Sequence, residues 1–263
     1  MSGGLPKSNA FAAMPKEQLA RVKEHKKLRE SQPYLDAVMQ VQRVTLDFVE
    51  TVRSAWLFAA RDPNFQNHLF WRFIDDLLGS ALGVWMTSRE GIDTLPRREL
   101  RFMLELVIRN AYVDLVFAKK PKPDTPLETR MAYVEHKLGQ DEIGLLGDLP
   151  LTIYWDNPSL LEGEVKRRLY GDLSKYLHPS HEQMERRLAL ADQGMFFGFE
   201  TAAELEEFAD LLLRTYDVLV AIAFLELGPS STSDLLPVFT KRPHWSFSTS
   251  RFVSEIVAEL SRN

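Results

Sequence analysis

The stretch AAELEEFADLLLRTYDVLVAIAFLEL, residues 202–227, restricts this chain more than any other. Its second half, residues 218–225, carries no charge at all. A helix that is apolar on every side has no face to give to water and must be buried. The charge-free run is far shorter than the ~20 residues a membrane span needs. The segment is therefore expected to be the central helix of a soluble bundle, with the remaining helices arranged around it.

The rest of the chain supplies those helices. Residues 14–31 form a charged segment whose expected role is a solvated face. A long helix begins at Pro33 and runs through Tyr34, Val38, Val41, Val44, Phe48, Val52 and Trp56, where apolar positions recur in threes and fours. It stops at Asp62–Pro63. A single helix is expected over 64–90, ending at Gly91. Thr94 reads as the N-cap of the next, because Pro96 and Glu99 fall in its first turn. That helix runs to Lys119–Lys120, and the proline-rich linker 120–126 then forces the chain open. A short helix follows near 130–138. Residues 149–155, LPLTIYW, are the one strand-like run and are expected to be an extended connection. Further helices are expected at 159–178, 180–191 and 248–260, with a loop over 229–245. The fold class expected is all-α: a multi-helix bundle of long antiparallel helices, a proline-rich linker and peripheral short helices. Residues 1–13 read as a disordered lead-in and 14–263 as one helical domain.

Composition excludes several classes of function. The chain has 263 residues and no cysteine, which removes disulfides, thiolate nucleophiles and Cys-ligated metal sites. Formal net charge is −5, so any nucleic-acid contact requires a local basic patch. The N-terminal residues have no apolar core of the signal-peptide kind. A cytoplasmic protein that does not engage the membrane is expected.

Two helices depart from the pattern of one apolar and one polar face. At about 100° per residue, RRELRFMLELVIRNAYVDLVF puts Arg98, Arg101, Glu105, Arg109 and Tyr112 in one narrow stripe. Apolar residues flank it on both sides, so it lines a groove or is buried with partners. Burying an unpaired charge is costly, so Glu105 is expected to pair with Arg101 or with Arg109. In LYGDLSKYLHPSHEQM, residues 169–184, the same arithmetic aligns Arg167, Tyr170, Ser174 and His178. Gly171 inside that helix costs about 1 kcal/mol relative to alanine, which makes sense if a backbone or ligand approaches closely. Pro179 ends the helix, and Ser180 with Gln183 forms a capping box for the next.

What chemistry these residues support can be narrowed. His178 and His181 have the spacing H-x-x-H, but proline separates them and no Glu-x-x-His occurs in the chain, so no metal and no cofactor are expected. Ser174 lies four residues from His178 on a regular helix, without the strained elbow a nucleophilic serine needs. General acid–base work by His178, with Arg101 or Arg109 holding an anion, is the better-founded chemistry. The alternative is a satisfied polar seam that packs two helices and does no chemistry.

The stretches LRFMLELVIRNAYV and YGDLSKYLHPS together resemble prokaryotic HEPN-like helical proteins, over roughly residues 68–190. Leu100, Arg101, Leu104 and Glu105 match the first motif of that group, "LR..LE". Tyr170, Leu173, Ser174 and His178 match the second, "Y..LS...H". The resemblance implies a helical protein of the abortive-infection or toxin–antitoxin kind. It also implies RNA or a nucleotide as ligand, metal-independent RNA cleavage, a homodimer, and an antitoxin or defence protein as partner. His178, Arg101, Glu105, Arg109, Ser174 and Tyr170 are its candidate catalytic residues. The arginine that catalytic members carry four to six residues before the histidine is missing: Gly171, Asp172 and Leu173 stand there, and the nearest upstream arginine is Arg168. Either Arg101 or Arg109 replaces it from the neighbouring helix, or the chain is a non-catalytic helical interaction and dimerisation protein.

Overall fold

The computed structural model describes residues 16–118, 125–137, 142–175, 184–185, 188, 199 and 201–262. Among these the fold is all-α. In chain order come α1 (Lys16–Arg29), α2 (Gln32–Ala59), α3 (Leu69–Arg72), α4 (Ile74–Arg89), α5 (Thr94–Ala118) and α6 (Leu127–Lys137). They are followed by α7 (Ser159–Gly163), α8 (Tyr170–Ser174), α9 (Ala202–Leu227), α10 (Pro229–Leu235), α11 (Pro237–Thr240) and α12 (Arg251–Leu260). A π-helical turn, Glu164–Leu169, joins α7 to α8. The lead-in 1–13, most of the linker, and the expected capping box at Ser180 and Gln183 lie outside the described residues.

The central position expected for 202–227 is what the structure has. Thr201 caps α9 by accepting a hydrogen bond from Glu204 N at 3.1 Å. Gly228, at φ +81°, stops it in a conformation that disfavours any residue with a Cβ. Between these ends, Val218, Leu219, Val220, Ala221, Ile222 and Phe224 are all fully buried. α9 packs most extensively against α2, and also against α5 and α12. Phe48 of α2 stacks on Tyr216 of α9, with ring centroids 4.1 Å apart. Burying side chains of this size contributes about 1.5–3 kcal/mol each, so this packing is a main source of the bundle's cohesion.

Two buried aspartates tie other helices to this core. Asp217 of α9 accepts hydrogen bonds from Phe252 N and Val253 N, both at 2.9 Å, at the start of α12. Asp114 of α5 does the same for Leu69 N at 2.9 Å and Phe70 N at 2.8 Å, at the start of α3. Each carboxylate satisfies the N–H groups that a helix start leaves without an intrahelical partner.

The Asp114 bonds explain a departure from expectation. Residues 64–90 are not one helix but a 3₁₀ turn, Phe65–Asn67, followed by α3 and α4. Leu69 N and Phe70 N bind Asp114 rather than carbonyls of the preceding turn, and His68 is extended, at φ −77° and ψ 116°. The strand-like run also differs. Leu151–Ile153 forms a 3₁₀ turn, and Tyr154 and Trp155 turn inward, with Tyr154 Oη donating to Phe224 O at 3.2 Å. The stretch read as a loop over 229–245 contains α10 and α11, each opened by a proline. Proline has no N–H to lose in a first turn.

Candidate functional site

The two stripes read from the sequence meet. Arg101 of α5 donates from Nε to Glu105 Oε1 at 2.8 Å, from Nη1 to Ser174 Oγ at 3.2 Å and from Nη2 to Tyr170 Oη at 2.6 Å. Its guanidinium carbon also lies 4.5 Å from the Tyr170 ring centroid. Ser174 Oγ donates in turn to Tyr170 O. All three arginine nitrogens thus point at acceptors inside the protein. The side chains of Arg101 and Glu105 keep 15% and 26% of their exposure, so the seam is shielded but not sealed.

Two described residues of the stripes, Arg109 and Arg167, do not join this seam. Arg109 forms no hydrogen bond with Glu105, and its Nε is buried without a hydrogen-bond partner. Arg167 is exposed and does not join Tyr170 and Ser174. The π-helical turn causes this: it holds more residues per turn than an α-helix, so the phase of the stripe changes between Glu164 and Leu169. His178 lies outside the described residues, as does His181. Gly171 is not explained by close packing, since no described atom comes within 4 Å of where its Cβ would sit.

The same π-helical turn builds a second cluster on its other side. Glu164 is buried, and three arginines converge on it. Arg214 of α9 donates from Nε at 2.7 Å and also from Nη2. Arg168 Nη1 lies 3.4 Å away and Arg251 Nη1 of α12 lies 3.6 Å away. Glu164 is 4% exposed, whereas Arg168 is 67%, Arg251 45% and Arg214 41% exposed. The carboxylate is the fixed base of the cluster and the guanidiniums reach outward. A cavity of about 290 Å³ opens among them, with Leu213 and Phe252 as apolar walls. Glu255 also faces Arg251, so three guanidiniums stand against two carboxylates, with Asp217 behind them. Burial pushes the carboxyls of Asp217 and Glu255 up from their ordinary range.

A third cluster was not expected from the sequence. Asp114 Oδ1 accepts from Arg130 Nη1 of α6 at 2.6 Å, and both side chains are 2% exposed. His68 Nδ1 lies 4.0 Å from Asp114 Oδ2. Glu226, at the end of α9, completes the group, and burial together with the charge of Asp114 raises its carboxyl well above the usual range. His68 and Glu226 line a cavity of about 410 Å³ with Trp71, Phe58, Asp62 and Asp234. The one sequence signal for this cluster is an isolated acid, Asp114, within the apolar end of α5.

No family model, no curated protein and no solved structure matches this chain. Among the described residues no helix is long and apolar enough to cross a membrane.

Proposed function

We propose that the chain is a HEPN-like helical protein that binds RNA or a nucleotide without cleaving it. In this reading the Arg101 seam is structural, and the arginines around Glu164 meet the ligand's phosphates. The observation that carries it is the state of Arg101, whose three nitrogens are spent on Glu105, Ser174 and Tyr170. Three of its five N–H groups are taken, and the side chain keeps only 15% of its exposure, so little of that guanidinium is open to an anion. Arg168 and Arg251, by contrast, have exposed ends and approach Glu164 at 3.4 and 3.6 Å. Guanidiniums of this kind suit bidentate contact with phosphate, and Phe252 offers an aromatic wall beside them.

The test is incubation of the protein with single-stranded RNA in the presence of a chelator, followed by assays of both binding and cleavage. Retention of intact RNA supports the reading. Cleavage that disappears in His178→Ala would overturn it in favour of the catalytic alternative, and absence of any binding at low salt would remove the ligand class.

A homodimer is the second reading, favoured by one surface. On α2, Leu35, Met39, Leu46 and Leu57 are exposed and fall within about 40° of each other at 100° per residue. α4 packs beside α2 and adds exposed Leu82 and Met86. Light scattering tests this: a dimer in the parent chain that dissociates in Met39→Glu supports it, and a strict monomer rejects it.

A further inference from the structure

We propose that His68, Asp114 and Glu226 form a binding site for a divalent transition cation, Zn²⁺ or Mn²⁺, at the floor of the 410 Å³ cavity. One ligand atom from each residue lies within 4.8 Å of those of the other two, so small side-chain shifts bring all three onto a single ion. The site is separate from the arginine cluster and independent of the RNA-binding reading.

Two atoms there have no partner. His68 Nδ1 and Glu226 Oε1 are both buried and neither makes a hydrogen bond. Leaving such groups unsatisfied is costly, and a cation between them satisfies both. Asp114 has capacity left for the third bond. A carboxylate oxygen carries two lone pairs. Oδ1 uses both, on Leu69 N and Arg130 Nη1, whereas Oδ2 is bound by Phe70 N alone and faces His68 Nδ1.

Charge points the same way. Two carboxyl groups, Asp114 and Glu226, face one guanidinium, Arg130, so holding both as carboxylates in a buried place calls for a further positive charge. A divalent cation in contact with both would supply it. Arg130 holds the distal face of Asp114 and fixes the carboxylate's orientation, a role often taken by the hydrogen-bonded partners of metal ligands. One nitrogen and two carboxylate oxygens suit zinc or manganese, and fall short of the six to eight oxygens calcium takes. Three protein ligands leave a coordination position open, and the cavity lined by His68 and Glu226 supplies room for water or a small ligand there.

The experiment is calorimetric titration of the full chain with Zn²⁺ alone, after stripping with a chelator. The parent should take up one equivalent saturably, and Zn²⁺ should raise its unfolding temperature. Glu226→Gln, which keeps size and shape, and His68→Gln should each weaken that equivalent by at least about a hundredfold and lose the thermal shift. The double variant His178→Ala/His181→Ala controls for the other histidine pair and should retain it. Visible absorption of Co²⁺ in the same site gives a second reading, intense bands in the parent that fade in Glu226→Gln. No saturable equivalent in the parent, or an equivalent that survives both Glu226→Gln and His68→Gln, overturns the proposal.

Discussion

Arg101 Nη2 donates to Tyr170 Oη at 2.6 Å across 69 positions of sequence. That bond joins α5 to α8, and with those to Glu105 and Ser174 it gives each arginine nitrogen an acceptor within the protein. Shielded polar networks of this sort specify one packing of the helices they join, because partial satisfaction is costly.

Truncation of either partner should therefore register as stability. Arg101→Ala leaves Glu105, Tyr170 and Ser174 without their donor, and is expected to cost about 1–3 kcal/mol. A double-mutant cycle with Tyr170→Phe should return a coupling of about 0.5–3 kcal/mol in urea unfolding. Strict additivity of the two losses would show that the bond contributes nothing.

Breaking the Asp114–Arg130 pair should be more severe. Both groups are shielded, and removal of one leaves the other as an uncompensated buried charge, which costs about 3–5 kcal/mol. Arg130→Met is expected to lower the urea midpoint strongly without changing the slope. Asp114→Ala should be at least as damaging, since Leu69 N and Phe70 N lose their acceptor as well. A midpoint shift below that of Arg101→Ala in either variant would contradict this ranking.

Asp217 gives the fold a pH dependence of known sign. Its ordinary value is 3.8, and burial raises it in the folded chain, against the lowering effect of bonds from Ser250, Phe252, Val253 and Arg251. Near pH 3 the carboxyl is protonated in both folded and unfolded chains. As pH rises through 3.8 the unfolded chain releases its proton first, so this group's contribution to folding declines until the folded carboxyl ionises. The loss is at most about 1.4 kcal/mol per pH unit. The charges around Asp217 are Arg251 and Glu255 of α12, Arg214 of α9, and Glu164 with Arg168 of the π-helical turn. Asp217→Asn cannot ionise, so its stability relative to the parent should improve between pH 4 and pH 6, read as unfolding midpoints at each pH. An unchanged gap across that range would show that Asp217 has the same affinity for its proton in both states.

Much of the architecture was legible from the residues. The apolar run at 218–225 required a central helix, and the periodicity of α2 and α5 was that of long amphipathic helices. The seam was legible in part. Helical arithmetic placed Arg101 and Glu105 on one face, and Tyr170 and Ser174 on another, but it assumed 3.6 residues per turn throughout. The π-helical turn removed Arg167 from that face and turned Glu164 inward, and no rule of spacing announces such a turn. The break at His68 was hidden for another reason: the side chain that binds Leu69 N, Asp114, is 45 positions further along the chain. Isolated acids within apolar helical stretches, Asp114 and Asp217, were the available clue. Each caps a distant helix, which is a tertiary event that local propensity does not contain.

One comparison directly tests the proposed division, in which Arg101 serves the fold and Arg168 and Arg251 meet the ligand's phosphates. Fluorescence anisotropy should be used to measure the affinity of a single-stranded RNA for the parent, Arg101→Lys and Arg168→Ala/Arg251→Ala, across a range of salt. The double variant is expected to bind several-fold more weakly, with a salt slope reduced by about 0.7 for each phosphate it no longer neutralises. Arg101→Lys is expected to bind within about twofold of the parent, since a seam that touches no phosphate adds nothing to the electrostatic part of the affinity, and to unfold at lower temperature. The opposite order, with affinity reduced in Arg101→Lys and kept in Arg168→Ala/Arg251→Ala, would place the ligand at the seam and contradict that division.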